Sequence, residues 1–452
     1  MDNMNSLSAT KVSTKEVLAF SMGYMALTLG GLGNSYLSFF WTDIALIPLS
    51  AVGMIFLISR IFDGVTDIII GFMIDKTKSK HGKARPWLLW MLVPSVVSMV
   101  ALFYMPNIST TGKIIYAFIV YNAVAFFFAT ATAIPLQTLC SRLSSDGAER
   151  LKLNMVAQIF GSAVSVLGNY FVIIGITKFG DGAGGYFKFF GLLSIISGIL
   201  ILIAFAGTKE KVEASKKSDE KKLTLGEGFK LLFSNKYWIW VTLLQVSSWL
   251  FPAFMAINIY YMIWIYKDPS LMGPFMSLIF FAMFVSIMIL TPLSQKIGKD
   301  KTAFLGMFLQ VIGGLIPLVN LTSLPILMAS AVFRGAGPAA MLGTRLAFTA
   351  DVVEYGEWKN GTRTEGLIYS GTSMGQKIGM GLGGLIVTIM LGIGGYVGGA
   401  ATQTPAALNS IVFTFTWLSA LASALAVVCL FFLGKLQKQM PEIMRDLDAR
   451  KQ

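Results

Sequence analysis

The sequence predicts an all-α integral membrane protein with twelve transmembrane helices in two six-helix halves. Three observations carry that prediction. Of its 452 residues, 55% are apolar and only 13% charged, whereas soluble globular chains average roughly 25% charged. So few charges cannot cover a water-soluble fold of this size. Twelve stretches approach or exceed the roughly 20 mostly apolar residues that cross a bilayer. The longest charged segment falls between the sixth and seventh of them.

The spans are read at 16–41, 49–75, 86–105, 113–139, 153–177, 185–207, 237–265, 271–294, 302–321, 324–350, 366–397 and 407–434. Residues 1–15 are polar and show no short apolar core with a cleavage site, so the first span is expected to be retained. The tenth and eleventh are the least regular, interrupted by Arg334, Arg345 and many glycines. Residues 208–236 form a Lys-, Glu- and Ser-rich linker between an N-terminal half (1–207) and a C-terminal half (237–434). Part of that linker, 223–233, reads as an amphipathic surface helix. Residues 435–452 are expected to be a cytoplasmic tail. Two halves around a central linker suggest a transporter with repeat symmetry.

Basic residues mark the cytoplasmic side of a membrane protein. The 2–3, 4–5, 6–7, 8–9 and 10–11 loops together hold 21 lysines and arginines, and the opposite loops hold only Lys113, Lys178, Lys188 and Lys267. Both termini and the linker are therefore expected in the cytoplasm. The net charge of +13 is largely this topology signal and does not point to nucleic acid. Cys140 and Cys429 are too few for a disulfide framework. The single histidine, His81, argues against a protein-built zinc or haem centre, and no nucleophile–base cluster suggests an enzyme.

Four basic residues, Arg60, Arg334, Arg345 and Lys377, lie inside spans, and among acids only Asp63 and Asp67 do so well inside. An ionisable side chain at the bilayer centre costs at least about 2.5–3.5 kcal/mol, so it usually faces the protein interior and serves a purpose. Asp63 is fourteen residues beyond Leu49, about 21 Å along a helix and near the midplane. Asp67 lies one turn later on the same face, with Thr66 beside it. Two carboxylates this close hold a proton or cation between them. An Arg60–Asp63 ion pair is the alternative, but Arg60 neutralises only one acid. Lys377 sits at similar depth among Gly371, Gly375, Gly379 and Gly383, whose four-residue spacing suits close helix packing. It is either a counter-charge to the aspartates or a substrate contact, flanked by Thr372 and Ser373. Arg345 is expected to pair with Asp351 or Glu354.

Several stretches converge on one resemblance. Arg60-Ile-Phe-Asp63-Gly-Val-Thr-Asp67 is followed by Gly71-Phe-Met-Ile-Asp75 and Lys76-Thr-Lys-Ser-Lys-His-Gly-Lys-Ala-Arg-Pro-Trp87. Later comes Asp351-Val-Val-Glu-Tyr-Gly-Glu-Trp-Lys359, continuing Asn-Gly-Thr-Arg363-Thr-Glu-Gly366. Over nearly the whole chain this resembles the glycoside–pentoside–hexuronide:cation symporters of the major facilitator superfamily. The resemblance implies solute uptake coupled to Na⁺, H⁺ or Li⁺, with no cofactor. It implies a cation site at Asp63, Thr66, Asp67 and Thr130, and places Lys377 as the matching helix-eleven lysine. A cytoplasmic gate is expected around Asp75, Arg85, Asp351, Glu354 and Arg363. The expected partners are a small-molecule solute, the cation and the lipid bilayer of the cell membrane, with the protein a monomer.

On the substrate side the resemblance breaks. The helix-one and helix-four aspartates of the galactoside carriers match Leu27 and Ala133, a helix-five arginine matches Gln158, and two tryptophans match Gln137 and Leu342. Carboxylates suit a polyol because they accept several hydroxyl hydrogen bonds. Asn34, Tyr36, Asn122 and Gln137 remain as polar candidates, and Trp249 or Tyr260 as ring-stacking ones. A glycoside with an apolar aglycone, a hexuronide held by Lys377 and a non-sugar ring such as a steroid are all compatible with that pocket. Topology fusions test the layout: reporters at Lys222 and Gln452 are expected to read cytoplasmic, and a periplasmic signal at either overturns the two-half arrangement.

Overall fold

The computed structural model describes residues 12–212, 232–361 and 365–451. Most of the expected surface helix at 223–233 lies outside the described residues, as do Arg363 and the side chain of Asp75. All regular structure among the described residues is helical. It divides into two compact units, Met1–Ser218 and Asp219–Gln452.

The first unit contains α1 (Thr14–Ile44), α2 (Leu49–Lys76), a split α3 (Arg85–Trp90 and Leu92–Leu102), α4 (Thr110–Leu143), α5 (Gly147–Lys178) and α6 (Gly182–Gly207). Ser13 and Glu16 form a capping box that starts α1, each satisfying a backbone donor the helix cannot. The break in α3 at Met91 arises from Pro94, which has no N–H for the Trp90 carbonyl and whose ring crowds it. Helix α1 packs on α4, α5 and α6 through small residues: Gly23 lies against Leu136 of α4 and Ala204 of α6, and Gly168 of α5 against Leu32. Phe20, Leu136, Leu139, Leu153 and Ile201 form part of the buried core beneath it.

A segment after α6 straps the end of this unit. The Glu210 carboxylate accepts the backbone N–H groups of Lys83 (3.0 Å), Ala84 (2.7 Å) and Arg85 (2.9 Å) at the start of α3. Next to it, Lys211 pairs with Glu16 at 2.8 Å, and the Lys211 and Val212 amides both donate to the Arg142 carbonyl at the end of α4. One short segment thus ties the ends of α1, α3 and α4 by satisfying donors and acceptors that helix termini leave open.

The second unit contains α7 (Lys236–Trp264), α8 (Pro269–Ile297), α9 (Lys299–Val319), α10 (Leu324–Asn360), α11 (Glu365–Ile393) and α12 (Pro405–Arg450). Among the described residues, ten helices are long and apolar enough to cross a membrane. The other two expected spans are α2, which carries Arg60, Asp63 and Asp67 through its 28 residues, and α3, whose longer piece has 11. Helices α10 and α12 extend beyond the expected spans 324–350 and 407–434. The cause is an amphipathic continuation: Val352, Val353 and Tyr355 of α10, and Leu436, Ile443 and Leu447 of α12, are buried in one cluster with Tyr237. The expected tail 435–452 is therefore largely helix. Gly361 closes α10 in the left-handed region at φ 69°, its N–H returning to the Glu357 carbonyl, a conformation glycine adopts without steric cost.

The glycine row of α11 packs on α7, as its spacing predicts. A side-chain carbon at Gly375 would stand 2.8 Å from the Thr242 carbonyl, and one at Gly371 would meet the Trp238 indole. Gly379 lies against Val246 and Trp249, and Gly383 against Leu250 and Ala253.

Arg334 is the internal fastener of the second unit. It is 2% exposed. Its Nε donates to Ser330 Oγ (3.0 Å) and the Gly313 carbonyl (3.3 Å), its Nη2 donates to the Phe415 carbonyl (2.6 Å), and its guanidinium lies 4.1 Å from the Phe415 ring centre. Phe415 belongs to a π-helical turn, Thr414–Leu418, and Arg334 thereby joins α9, α10 and α12. Leaving a buried acceptor unpaired costs about 1–3 kcal/mol. Arg334→Met is expected to lower the melting temperature of the purified protein markedly, because the Gly313 and Phe415 carbonyls lose this donor. An unchanged melting temperature contradicts the assignment.

Candidate cation and solute sites

The cation candidates are built from α2 and α4. Asp63 and Asp67 are one turn apart on α2 and both half-buried. Thr130, 1% exposed, meets them from α4. Its Oγ1 is 2.9 Å from Asp67 Oδ1 and 3.3 Å from Asp63 Oδ1. A hydroxyl carries one proton and donates to one carboxylate at a time, so two negative groups converge on a single donor.

A local departure from α-helical geometry aims that hydroxyl. Residues Ala125–Thr130 form a π turn, closed by the Ala131 N–H donating to the Phe126 carbonyl at 2.8 Å. Such turns occur often at functional sites, because the extra residue rotates the rest of the helix and changes the carbonyl pairing. Here the Phe127 carbonyl accepts Thr132 Oγ1 (2.8 Å) and Ser95 Oγ of α3 (3.0 Å). These hydroxyls stabilise the turn that holds Thr130 against α2.

Arg60 braces the other side. Its Nη1 donates to Asp63 Oδ2 at 3.2 Å, its Nη2 donates to the Tyr121 hydroxyl, and its guanidinium lies 5.6 Å from the Tyr121 ring centre. Tyr121 meets Trp41 and Phe56 edge-on. The Arg60–Asp63 ion pair considered from the sequence therefore exists, and it coexists with the convergence on Thr130. The residues suit a hard cation, which takes oxygen ligands. Thr66 directs its hydroxyl to the Asp63 backbone carbonyl at 3.1 Å, a bond to its own helix. Asn122 ties α4 to α2 nearby, donating to Ser59 Oγ at 2.9 Å.

The sequence candidates for solute contact in the first unit differ in exposure. Leu27 is partly buried against the core, and Ala133 is half-buried one residue beyond Thr132. Gln137, Gln158 and Asn34 are exposed. Tyr36 is fully buried, packed toward Phe190, and is a core residue. In the second unit Thr372 is buried and donates to the Tyr369 carbonyl of its own helix at 2.8 Å, while Ser373 is exposed. Lys377 is half-buried. Two residues from both Gly375 and Gly379, it lies on the face of α11 opposite the α7 contact. Tyr260 is buried edge-on to Tyr396, as packing and not as a free ring.

Arg345 departs from expectation. Asp351 instead pairs with Lys299 at 2.5 Å and accepts from Gln437. The Arg345 guanidinium lies 5.5 Å from the ring centre of Trp249 on α7. Sequence spacing favoured Asp351 as a neighbour on α10, but Lys299 of α9 reaches that acid first. Trp249 is thirteen residues beyond the start of α7, about 20 Å along it. A cation–π contact contributes about 0.5–2 kcal/mol.

Of the expected gate residues, Arg85 is buried, donates to the Phe205 carbonyl at 2.7 Å and stacks on the Phe205 ring. Asp351 is held within the second unit as above, and Glu354 is half-buried on α10. Glu210, which clasps the start of α3, had no signature in the sequence because its partners lie more than 120 residues away.

Comparisons with known proteins agree with this architecture. The family model described as MFS/sugar transport protein matches residues 19–437. The chain is 32% identical over 448 residues to the isoprimeverose transporter of Lactiplantibacillus pentosus, covering 97% of this chain and 92% of that protein. It is 26% identical over 422 residues to the inner membrane symporter YicJ of Escherichia coli (strain K12), covering 92% and 91%. The solved structure of the nucleoside transporter NupG superposes with a TM-score of 0.63 at 14% identity, covering 94% of this chain and all of that one, a likeness of fold. This multi-pass membrane protein thus belongs to the MFS/sugar transport family, in its glycoside–pentoside–hexuronide branch.

Proposed function

We propose that the chain is a symporter that imports a small glycoside or related sugar by alternating access, driven by the entry of a monovalent cation. The observation that carries this reading is the convergence of Asp63 and Asp67 of α2 on Thr130 of α4. A coupling cation bound at these carboxylates is released when the site opens to the other side. The names of the isoprimeverose transporter and the symporter YicJ support sugar and symport respectively. In this reading Na⁺ or H⁺ occupies the same oxygen cluster, Lys377 contacts solute or balances the aspartates, and the gate lies near Asp75 and Arg85. Both termini face the cytoplasm and the working unit is the monomer. The absence of acids at Leu27 and Ala133 argues for a solute other than a simple galactoside.

Transport by membrane vesicles tests it. Uptake of labelled glycosides is expected to exceed equilibration under an imposed Na⁺ or H⁺ gradient and to collapse to equilibration with an ionophore. Asp63→Asn and Asp67→Asn are each expected to abolish accumulation while exchange of solute continues. Undiminished accumulation with the same ion dependence in both variants places the cation site elsewhere. Thr130 gives a graded check: Thr130→Ala is expected to weaken the apparent cation affinity roughly 10-fold, the scale of one hydrogen bond to a charged group, and Thr130→Ser to restore it. Equal affinity in the Ala variant contradicts a role for the hydroxyl.

A further inference from the structure

A groove runs between the start of α9 and the stretch of α12 where its apolar span ends. Its floor is Gly434 of α12, where a side-chain carbon would stand 3.8 Å from Asp300 Oδ2 of α9. Lys301 of α9 and Lys435 and Lys438 of α12 line it, with Phe304 and Phe431 on its apolar side, and all five are exposed. Among the described residues none of the three lysines has an ion pair. The one acid of the groove, Asp300, lies in the first turn of α9, where a carboxylate complements the helix dipole. Toward the middle of the span both helices present exposed apolar side chains at helical spacing. On α9 these are Phe304 and Phe308, whose rings lie nearly parallel with centres 6.3 Å apart, and on α12 Phe431 and Val428. Side chains lean toward the N-terminus of their helix, and on α12 that direction brings Lys435 to the apolar stripe. Its ammonium lies 5.2 Å from the Phe431 ring centre and 5.1 Å from that of Phe432. A lysine that only snorkels extends toward water, whereas this ammonium stays at the boundary between charge and apolar surface.

A ligand that matches this surface is anionic at one end and apolar over the rest, with the change falling at the level of the lysines. Basic pockets between transmembrane helices near a membrane surface hold anionic lipid headgroups in this way. We propose that the groove binds an anionic phospholipid, its phosphate held by Lys301, Lys435 and Lys438 and the start of its acyl chains lying along Phe304 and Phe431. The headgroup draws on both helices, so the bound lipid fastens the start of α9 to the extension of α12. The assignment goes beyond the symport reading and is independent of the solute carried.

Native mass spectrometry of the purified, delipidated full-length protein tests it, with phosphatidylglycerol and phosphatidylcholine of identical acyl chains as probes. Phosphatidylglycerol is expected to bind at least about 10-fold more tightly, since each lysine near an anionic lipid favours binding roughly 5-fold. Lys301→Gln, Lys435→Gln and Lys438→Gln combined are expected to remove that preference while changing phosphatidylcholine binding less than about 2-fold, because only the anionic headgroup uses the lysines. Lys301→Arg, Lys435→Arg and Lys438→Arg combined keep the charge and are expected to keep the preference. Lys78, Lys80 and Lys152 are exposed outside the groove, and replacing these three by glutamine is expected to leave the preference intact. Inorganic phosphate and deacylated glycerophosphoglycerol, each at the concentration of the lipid, are expected to leave the lipid bound. Displacement by either makes the groove a site for free anions and overturns the proposal. Equal binding of the two lipids overturns it too, as does a preference that survives in the glutamine variant of the groove or an equal loss in the variant outside it. If the triple glutamine variant does not fold, Lys435→Gln alone is expected to lower the preference roughly 5-fold, and an unchanged ratio overturns the proposal.

Discussion

Two carboxylates held on one hydroxyl inside an apolar helix pair are the constraint around which the first unit is organised. Like charges on adjacent turns repel. Arg60 compensates one, fixed in place by Tyr121 and its aromatic neighbours. In the proposed reading the cluster of carboxylate and hydroxyl oxygens takes a proton or cation. Helix α4 presents Thr130 to both acids at the end of the π turn Ala125–Thr130, whose Phe127 carbonyl accepts the Ser95 and Thr132 hydroxyls. The stability of a short backbone irregularity and the binding of an ion are thus linked through a few hydroxyl groups.

The second unit treats its buried cations in two ways. Arg334 is surrounded by acceptors on three helices and acts as a fastener. Arg345, with an aromatic ring on one side and an open edge on the other, keeps its hydrogen-bonding capacity unspent. Lys377 stands on a helix whose opposite face is a row of glycines pressed against α7. That close contact fixes the height and rotation of α11, and with them the position of the lysine. Packing residues with no chemistry of their own therefore position the charged ones.

Much of this was legible in the sequence, and the failures have physical causes. The one-turn spacing of Asp63 and Asp67 comes from helix geometry alone, and the four-residue glycine period announced a close helix contact but not its partner, α7. Thr130 was identifiable through the family resemblance but not its π turn, because nothing in Ala125–Thr130 distinguishes a π turn from ordinary helix by periodicity. The ends of α10 and α12 were misjudged because hydropathy falls where charges begin, while burial of Val352, Ile443 and Leu447 continues on one face. The partners of Arg345 and Glu210 were missed for a common reason. Both are chosen by distant elements, Trp249 and the start of α3, and local spacing carries no information about them.

The central claim is that Asp63, Asp67 and Thr130 hold one exchangeable cation per chain. Proton release and Na⁺ binding can be read together on the purified protein, with an indicator dye and calorimetry, as Na⁺ is added at fixed pH. The account predicts exchange of about one monovalent cation per chain, Na⁺ or H⁺, lost in Asp67→Asn while the variant stays folded and binds solute. Full cation exchange persisting in both Asp63→Asn and Asp67→Asn contradicts it.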